Sequence, residues 1–252
     1  GNAEPYLVGV KRPGKNLYTN SIIAFDIRKK KILWYFQETC HDLWNNDIAG
    51  PPLLTTINKY NKRIDVVVAV TKLGNTIILD RLTGEPIFDY KKRLAPTSKF
   101  PGEKTCPYQP SLEIPEPFSR NEFKIDHVTN KSNKDREFVM KQLKNSNYGF
   151  FPTHELNKFT IVYGIWGGAQ WPGGSIDPYK NILYVTSNDM PTKLKVFSSF
   201  DINKDLEYNT NWYDVKNIPL KDSDGYPGIT PPWGSITALD LNEGKIIWQK
   251  PL

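Results

Sequence analysis

The sequence predicts an all-β protein built on a repeated hairpin. Three observations carry that reading: one strand–turn–strand unit occurs three times, Val-, Ile- and aromatic-rich runs lie between turn signals, and the composition suits a packed core. Ile23-Ala24-Phe25-Asp26 leads to Trp34, Ile78-Leu79-Asp80 to Phe88, and Thr237-Ala238-Leu239-Asp240 to Trp248, the Asp preceding the aromatic by eight positions each time. An Asp ending a strand can accept hydrogen bonds from the turn amides, and Gly84 or Gly244 supplies a permissive φ. The second strand then delivers its aromatic to the space between sheets. Four-stranded antiparallel units of this kind cannot bury a face alone, and stacking them produces a β-propeller.

Further strands are expected over residues 64–70, 75–79, 182–186 and 246–248. Pro96, Pro101, Pro107, Pro110, Pro115 and Pro117 mark residues 95–125 as a long ordered loop. Residues 126–160 are rich in Lys and Asn, too polar for a blade, with one short helix expected near 135–144. Residues 95–160 therefore read as an insertion in a single partial propeller domain spanning 1–252. At roughly 40–45 residues per blade, the remaining length makes about four blades, which leave open sheet edges at both ends.

With 38% hydrophobic and 13% aromatic residues the chain is too apolar for disorder. No run of about 18 apolar residues occurs, so no membrane-spanning helix is expected. The net charge of +6 is scattered over turns such as Lys29-Lys30-Lys31 and Lys91-Lys92 rather than gathered in a stripe, which excludes nucleic acid as the leading partner. Two cysteines, Cys40 and Cys106, rule out a dense disulfide framework and a four-cysteine zinc site. They read equally as one disulfide or as two separate buried thiols. The opening Gly1-Asn2-Ala3-Glu4-Pro5 has no basic n-region and no apolar h-region, so no signal peptide is visible in it.

Longer motifs carry a family resemblance. Gly1-Asn2-Ala3-Glu4-Pro5-Tyr6, Arg12-Pro13-Gly14-Lys15-Asn16-Leu17-Tyr18, Trp34-Tyr35-Phe36-Gln37 and His41-Asp42-Leu43-Trp44 resemble the pyrroloquinoline quinone (PQQ)-dependent dehydrogenases. Thr71-Lys72-Leu73-Gly74, Thr83-Gly84-Glu85-Pro86 and Pro101-Gly102-Glu103-Lys104 resemble their membrane-associated glucose and quinate dehydrogenase branch. Gly167-Gly168-Ala169-Gln170-Trp171-Pro172-Gly173-Gly174 and Pro231-Pro232-Trp233-Gly234 extend the match towards the C-terminus. The resemblance implies the C-terminal part, about half, of an eight-bladed quinoprotein propeller that holds PQQ and calcium or another divalent cation. It implies oxidation of a sugar or polyol hydroxyl by hydride transfer to the quinone, with electrons passing to a quinone or cytochrome acceptor. It also implies a periplasmic location, any membrane attachment lying outside this chain, and an N-terminal half of the propeller that supplies further cofactor contacts.

Carried over residue by residue, Asn2 falls where the family offers an amide oxygen to the metal, a sound role towards a hard cation. Lys72 falls where a cation faces the quinone carbonyl. Gln170 occupies an amide position suited to the cofactor, and Trp171 and Trp233 are candidate pocket walls, although packing between blades is the favoured expectation for both. His41 and Asp42 read as braces of the loop. The departure is Asn45, which stands where the family places an Asp that is both general base and metal contact. An amide cannot take the substrate proton at neutral pH, and Asp47, two positions on, is the nearest replacement. The enzymatic label therefore stays open, and the competing reading is a non-catalytic propeller that serves as a protein-binding scaffold.

Overall fold

The computed structural model describes residues 1–198, 208–209 and 213–252. Its elements, in chain order, begin with β1 (Ser21–Asp26), β2 (Lys31–Gln37), β3 (Leu53–Lys59), β4 (Lys62–Val70), β5 (Thr76–Asp80), β6 (Lys92–Leu94) and β7 (Tyr108–Pro110). There follow α1 (Asn133–Leu143), β8 (Ser146–Asn147), β9 (Phe159–Val162), β10 (Gly174–Asp177), β11 (Ile182–Asn188) and β12 (Thr192–Ser198). The series ends with β13 (Tyr208–Asn209), β14 (Tyr213–Pro219), β15 (Gly234–Asp240) and β16 (Lys245–Pro251). No helix among the described residues is long and apolar enough to cross a membrane.

The expected hairpin repeat is present and has a common chemistry. Asp26 Oδ1 accepts from the Lys29 amide (2.9 Å), Asp80 Oδ1 from Leu82 and Thr83 (2.8 and 2.9 Å), and Asp240 Oδ1 from Asn242 (2.7 Å). The residue four beyond each Asp is left-handed: Lys30 at φ 50°, Gly84 at 77° and Gly244 at 70°. A fourth copy closes β10 onto β11, where Asp177 Oδ1 accepts from Tyr179 and Lys180 and Asn181 sits at φ 55°. Its pattern is invisible in the sequence because the eighth residue is Val185 rather than an aromatic.

These hairpins stack through their aromatics. A Cβ on Gly84 would lie 2.6 Å from Trp34 Cδ2, so the β2 indole rests directly on the next sheet's turn, and its Nε1 donates to Arg81 O at 3.1 Å. Phe88 covers Gly244 in the same way, 3.0 Å from a built Cβ. Between the β1–β2 hairpin and the β3–β4–β5 sheet lie Ile22, Val67, Ala69, Ile77 and Leu79. Between β3–β4–β5 and β10–β11–β15–β16 lie Ile57, Val66, Val68, Val70, Leu183, Val185 and Leu239. Alternate residues of β4 thus feed two cores, the mark of a strand buried on both faces.

The expectation of about four blades needs a qualification from topology. Two sheets and the β1–β2 hairpin follow the repeat, with residues 85–87 continuing β5 as a short fourth strand through Ile87 N to Ile78 O (2.9 Å). The remaining large sheet, β13-β14-β12-β9-β8, joins β8 and β9, which precede β10, to β12, β13 and β14, which lie between β11 and β15. Its β8 and the start of β9 come from the segment, ending at residue 160, that reads as polar insertion. α1 packs Val139 and Leu143 against Ile161, Tyr163, Leu220 and Ile229, so that segment carries a core of its own.

The Pro-rich loop is pinned at one point of the hairpin series. Cys40 and Cys106 form a disulfide, and Gln109 exchanges hydrogen bonds with the backbone of Cys40, Nε2 donating to its carbonyl at 2.7 Å. Beside it, His41 Nε2 meets Glu103 Oε1 at 2.7 Å with both side chains almost wholly buried, while His41 Nδ1 meets Gly14 O at 2.7 Å. Burial alone would raise the Glu103 carboxyl, but the His41 and Gly9 hydrogen bonds and the nearby Arg12 charge outweigh it and hold the group below its usual range.

Two predictions follow from this packing. Gly84→Ala and Gly14→Ala both force alanine into a left-handed conformation, but only the first meets an indole; nothing lies within 4 Å of a Cβ at Gly14. Urea unfolding should find Gly84→Ala the more destabilised by about 1–3 kcal/mol, the usual cost of overpacking. Glu103→Gln should cost about 1.5–3 kcal/mol near pH 7, the range for buried hydrogen bonds to a charged group. Because the folded-state carboxyl is depressed, its contribution is present above the ordinary carboxylate pKa and lost as pH falls through the lower folded value. The gap between wild type and variant should therefore shrink in urea titrations carried down towards pH 3.

Candidate functional site

The loop from His41 to Asp47 is held from several sides. Asp42 is buried and accepts from Trp44 N (2.9 Å), Asn46 N (2.8 Å) and Asn20 Nδ2 (2.9 Å), and burial raises its carboxyl despite those bonds. His154 Nε2 meets Leu43 O at 2.7 Å, and Trp44 Nε1 donates to Pro152 O at 2.7 Å. Trp44 also meets Phe151 edge-on, with ring centroids 4.8 Å apart. Gly164 closes the enclosure, since a Cβ there would lie 2.2 Å from Trp44 O. His41 and Asp42 are thus braces, as expected, but the braces from residues 151–164 had no signal in the sequence.

That enclosure delivers two side chains to one point. Asn45 is left-handed at φ 61°, a conformation that Asn and Asp tolerate better than most residues. Lys72 Nζ lies 2.6 Å from Asp47 Oδ1 and donates to Asn45 Oδ1 at 3.2 Å. The Lys72 and Asp47 side chains are 6% and 7% exposed, so the ion pair is buried. Asn2 Nδ2 donates to Asn45 Oδ1 and, at 3.5 Å, to Asp47 Oδ1. Four candidates from three distant parts of the chain therefore converge: Asn2, Asn45, Asp47 and Lys72.

The turn that carries Lys72 is closed by Thr71 N to Asn75 O (3.1 Å) and Gly74 N to Thr71 O (3.0 Å). Its outer side is covered by the Gly167–Gln170 backbone: Ala169 N donates to Thr71 O at 3.0 Å, and a Cβ on Gly168 would lie 2.2 Å from Lys72 O. Only a glycine permits that approach. Gln170 itself turns back, Nε2 donating to Gly167 O at 2.9 Å.

The two tryptophans depart from the favoured expectation of inter-blade packing. Trp171 is 71% exposed, on the outside of a turn closed by Gly173 N to Gln170 O. Trp233 packs with the α1-side core, stacked on Tyr226 at 5.9 Å with its Nε1 donating to Ile229 O. Neither touches the Lys72 cluster through a hydrogen bond.

Chemically the cluster offers one ammonium, one carboxylate and two amides. Asn2 Oδ1 is buried without a hydrogen-bond partner, an oxygen that water or protein should satisfy in an ordinary interior. One carboxylate and two amide oxygens suit a hard divalent cation. A cation there would compete with Lys72 for the oxygens of Asn45 and Asp47. Among the described residues, no group of three or more His, Cys, Asp or Glu is placed to hold a metal ion, so such a site rests on amides.

The profile of the PQQ family described as the glucose/ethanol/alcohol dehydrogenase β-propeller domain matches residues 1–252. The glycerol dehydrogenase large subunit of Gluconobacter oxydans is 26% identical over 283 residues, covering 100% of this chain and 37% of that protein. The quinoprotein glucose dehydrogenase of Escherichia coli is 26% identical over 259 residues, covering 96% and 32%. The fold is similar to that of quinohemoprotein alcohol dehydrogenase from Comamonas testosteroni, with a TM-score of 0.57 at 20% identity over 99% of this chain and 32% of that one. The chain thus spans about a third of the length of these relatives. By a family match over its whole length, joined to a hairpin series stacked aromatic on glycine, the chain belongs to the PQQ β-propeller dehydrogenase family.

Proposed function

We propose that this chain is part of a PQQ-dependent dehydrogenase that oxidises a hydroxyl group of a sugar or polyol and passes the electrons to a quinone or cytochrome in the periplasm. The observation that supports it is the buried convergence of Asn2, Asn45, Asp47 and Lys72. A scaffold has no need to bury a lysine and a carboxylate beside two amides, since desolvating such charges costs several kcal/mol per ion. When bound, PQQ supplies the two-electron acceptor.

In this reading Asn2 and Asn45 offer amide oxygens to calcium or a similar ion, and Lys72 sets its ammonium against a quinone oxygen, where positive charge stabilises the reduced form. Asp47 takes the substrate hydroxyl proton. It is the one carboxylate in the cluster, and at 2.6 Å it lies closer to Lys72 than Asn45 does at 3.2 Å. Gln170 and Trp171 line the cofactor from the loop that packs on Lys72, while Trp233 packs on Tyr226 and the α1-side core. The N-terminal half of the propeller contributes the remaining contacts.

One observation favours the second reading, a protein-binding scaffold: Asn45 stands at the family's base position. The readings separate by titrating PQQ and Ca2+ into the chain together with the preceding propeller half while following quinone absorbance. Saturable binding, weakened tenfold or more by Lys72→Ala, is expected; its absence would sink the dehydrogenase reading. In dye-linked oxidation, Asp47→Asn should lower turnover by roughly 10²-fold or more, the scale of general-base catalysis, while Asn45→Asp should raise it. Unchanged turnover in Asp47→Asn would remove Asp47 from the role of base.

A further inference from the structure

A second buried carboxyl lies one residue away from the contacts of Lys72. Glu38, just beyond the end of β2, is 2% exposed. Its Oε1 accepts from Thr71 Oγ1 at 3.0 Å and from Asn75 Nδ2 at 2.9 Å. Thr71 and Asn75 are the two ends of the turn that carries Lys72, and they already close it through Thr71 N to Asn75 O. A single oxygen from the β1–β2 hairpin therefore holds both ends of a turn belonging to the neighbouring sheet. Glu38 is itself fixed through its backbone, its N–H donating to Asn20 O at 3.0 Å and its carbonyl accepting from Tyr90 OH at 3.1 Å.

The other oxygen, Oε2, is buried and has no partner. So are Asn20 Oδ1, Thr39 Oγ1, Asn75 Oδ1 and Thr76 Oγ1 on the same and adjoining segments. Both asparagine amide groups are already committed as donors, Asn20 to Asp42 and Asn75 to Glu38. Glu38 Oε2 thus lacks the donor that an ionised oxygen calls for, which favours a carboxyl that carries a proton. In keeping with this, burial pushes Glu38 up to about 7, against the opposing bonds from Asn75 and Thr71.

We propose that Glu38 is a positioning residue for Lys72, its carboxyl clamping the Thr71–Asn75 turn so that a proton gained or lost at Glu38 changes how firmly Lys72 is held against Asp47 and Asn45. The ionised form accepts two hydrogen bonds at full strength. The neutral acid is a weaker acceptor at Oε1 and gains a donor at Oε2. The charged and titratable groups that face this site are Asp42, whose negative charge opposes ionisation of Glu38, Tyr90 on its carbonyl, and Lys72 within the clamped turn. Arg12 lies behind Asp42, donating to its carbonyl at 2.5 Å. The inference rests on contacts within this chain and stands whether or not PQQ binds.

Nuclear magnetic resonance of the whole chain without cofactor tests it. In wild type, the Lys72 side-chain resonances, assigned with Lys72→Met, should shift between pH 6 and 8 with the midpoint of the Glu38 carboxyl carbon. Glu38→Gln keeps the acceptor but cannot titrate, and it should abolish that shift while leaving the fold intact. Thr71→Val, which removes one of the two donors with little change of shape, should move the Glu38 midpoint upward and speed hydrogen exchange of the Gly74 amide at least tenfold. A Lys72 shift of the same midpoint in Glu38→Gln would overturn the proposal. So would Gly74 exchange in Thr71→Val equal to that of wild type.

Discussion

The buried ion pair between Lys72 and Asp47 is the interaction around which the site is organised. Moving two charges out of water costs several kcal/mol each, and their attraction repays this only when geometry and further hydrogen bonds are good. Here the geometry is good: 2.6 Å, with Asn45 Oδ1 as a second acceptor for the ammonium and Asn2 Nδ2 within reach of the carboxylate. Removing any of these leaves a buried charge short of a partner, which is the costly case rather than the neutral one.

The surrounding structure exists in large part to hold these groups still. Lys72 projects from a turn between β4 and β5, a strand pair buried on both sides and clamped by Glu38 from one neighbour and by the Gly168 backbone from the other. Asp47 and Asn45 belong to a loop tied through Asp42, His154 and Pro152, with the disulfide and the His41–Glu103 pair fixing its entry. The stacking of Trp34 on Gly84 sets the relation between the two sheets that supply the halves of the clamp. A shift between those sheets would reach Lys72 through Glu38.

Much of this was legible in the sequence, and the limits have physical causes. The Asp-turn-aromatic repeat announced the hairpins because its capping chemistry is local, and the helix near 135–144 is close to the observed Asn133–Leu143. The copy at Asp177 is not legible because Val185 stands where the other three copies carry an aromatic. The four convergent residues were named from a family resemblance, since no local pattern links Asn2, Asn45, Asp47 and Lys72. Nothing in the sequence marks Glu38: a glutamate at a strand end looks like a surface residue until two sheets close over it. The β9–β12 pairing was likewise hidden, its strand β9 lying at the edge of a Lys- and Asn-rich stretch whose composition masked the core beneath it.

The most direct test is a crystal structure of the chain, together with the rest of the propeller that the proposed function calls for, soaked with PQQ and Ca2+. The account requires a cation within about 2.3–2.6 Å of Asn2 Oδ1, with Lys72 drawn from Asp47 towards a quinone oxygen. Cofactor bound elsewhere, with Lys72 and Asp47 still paired, would contradict it.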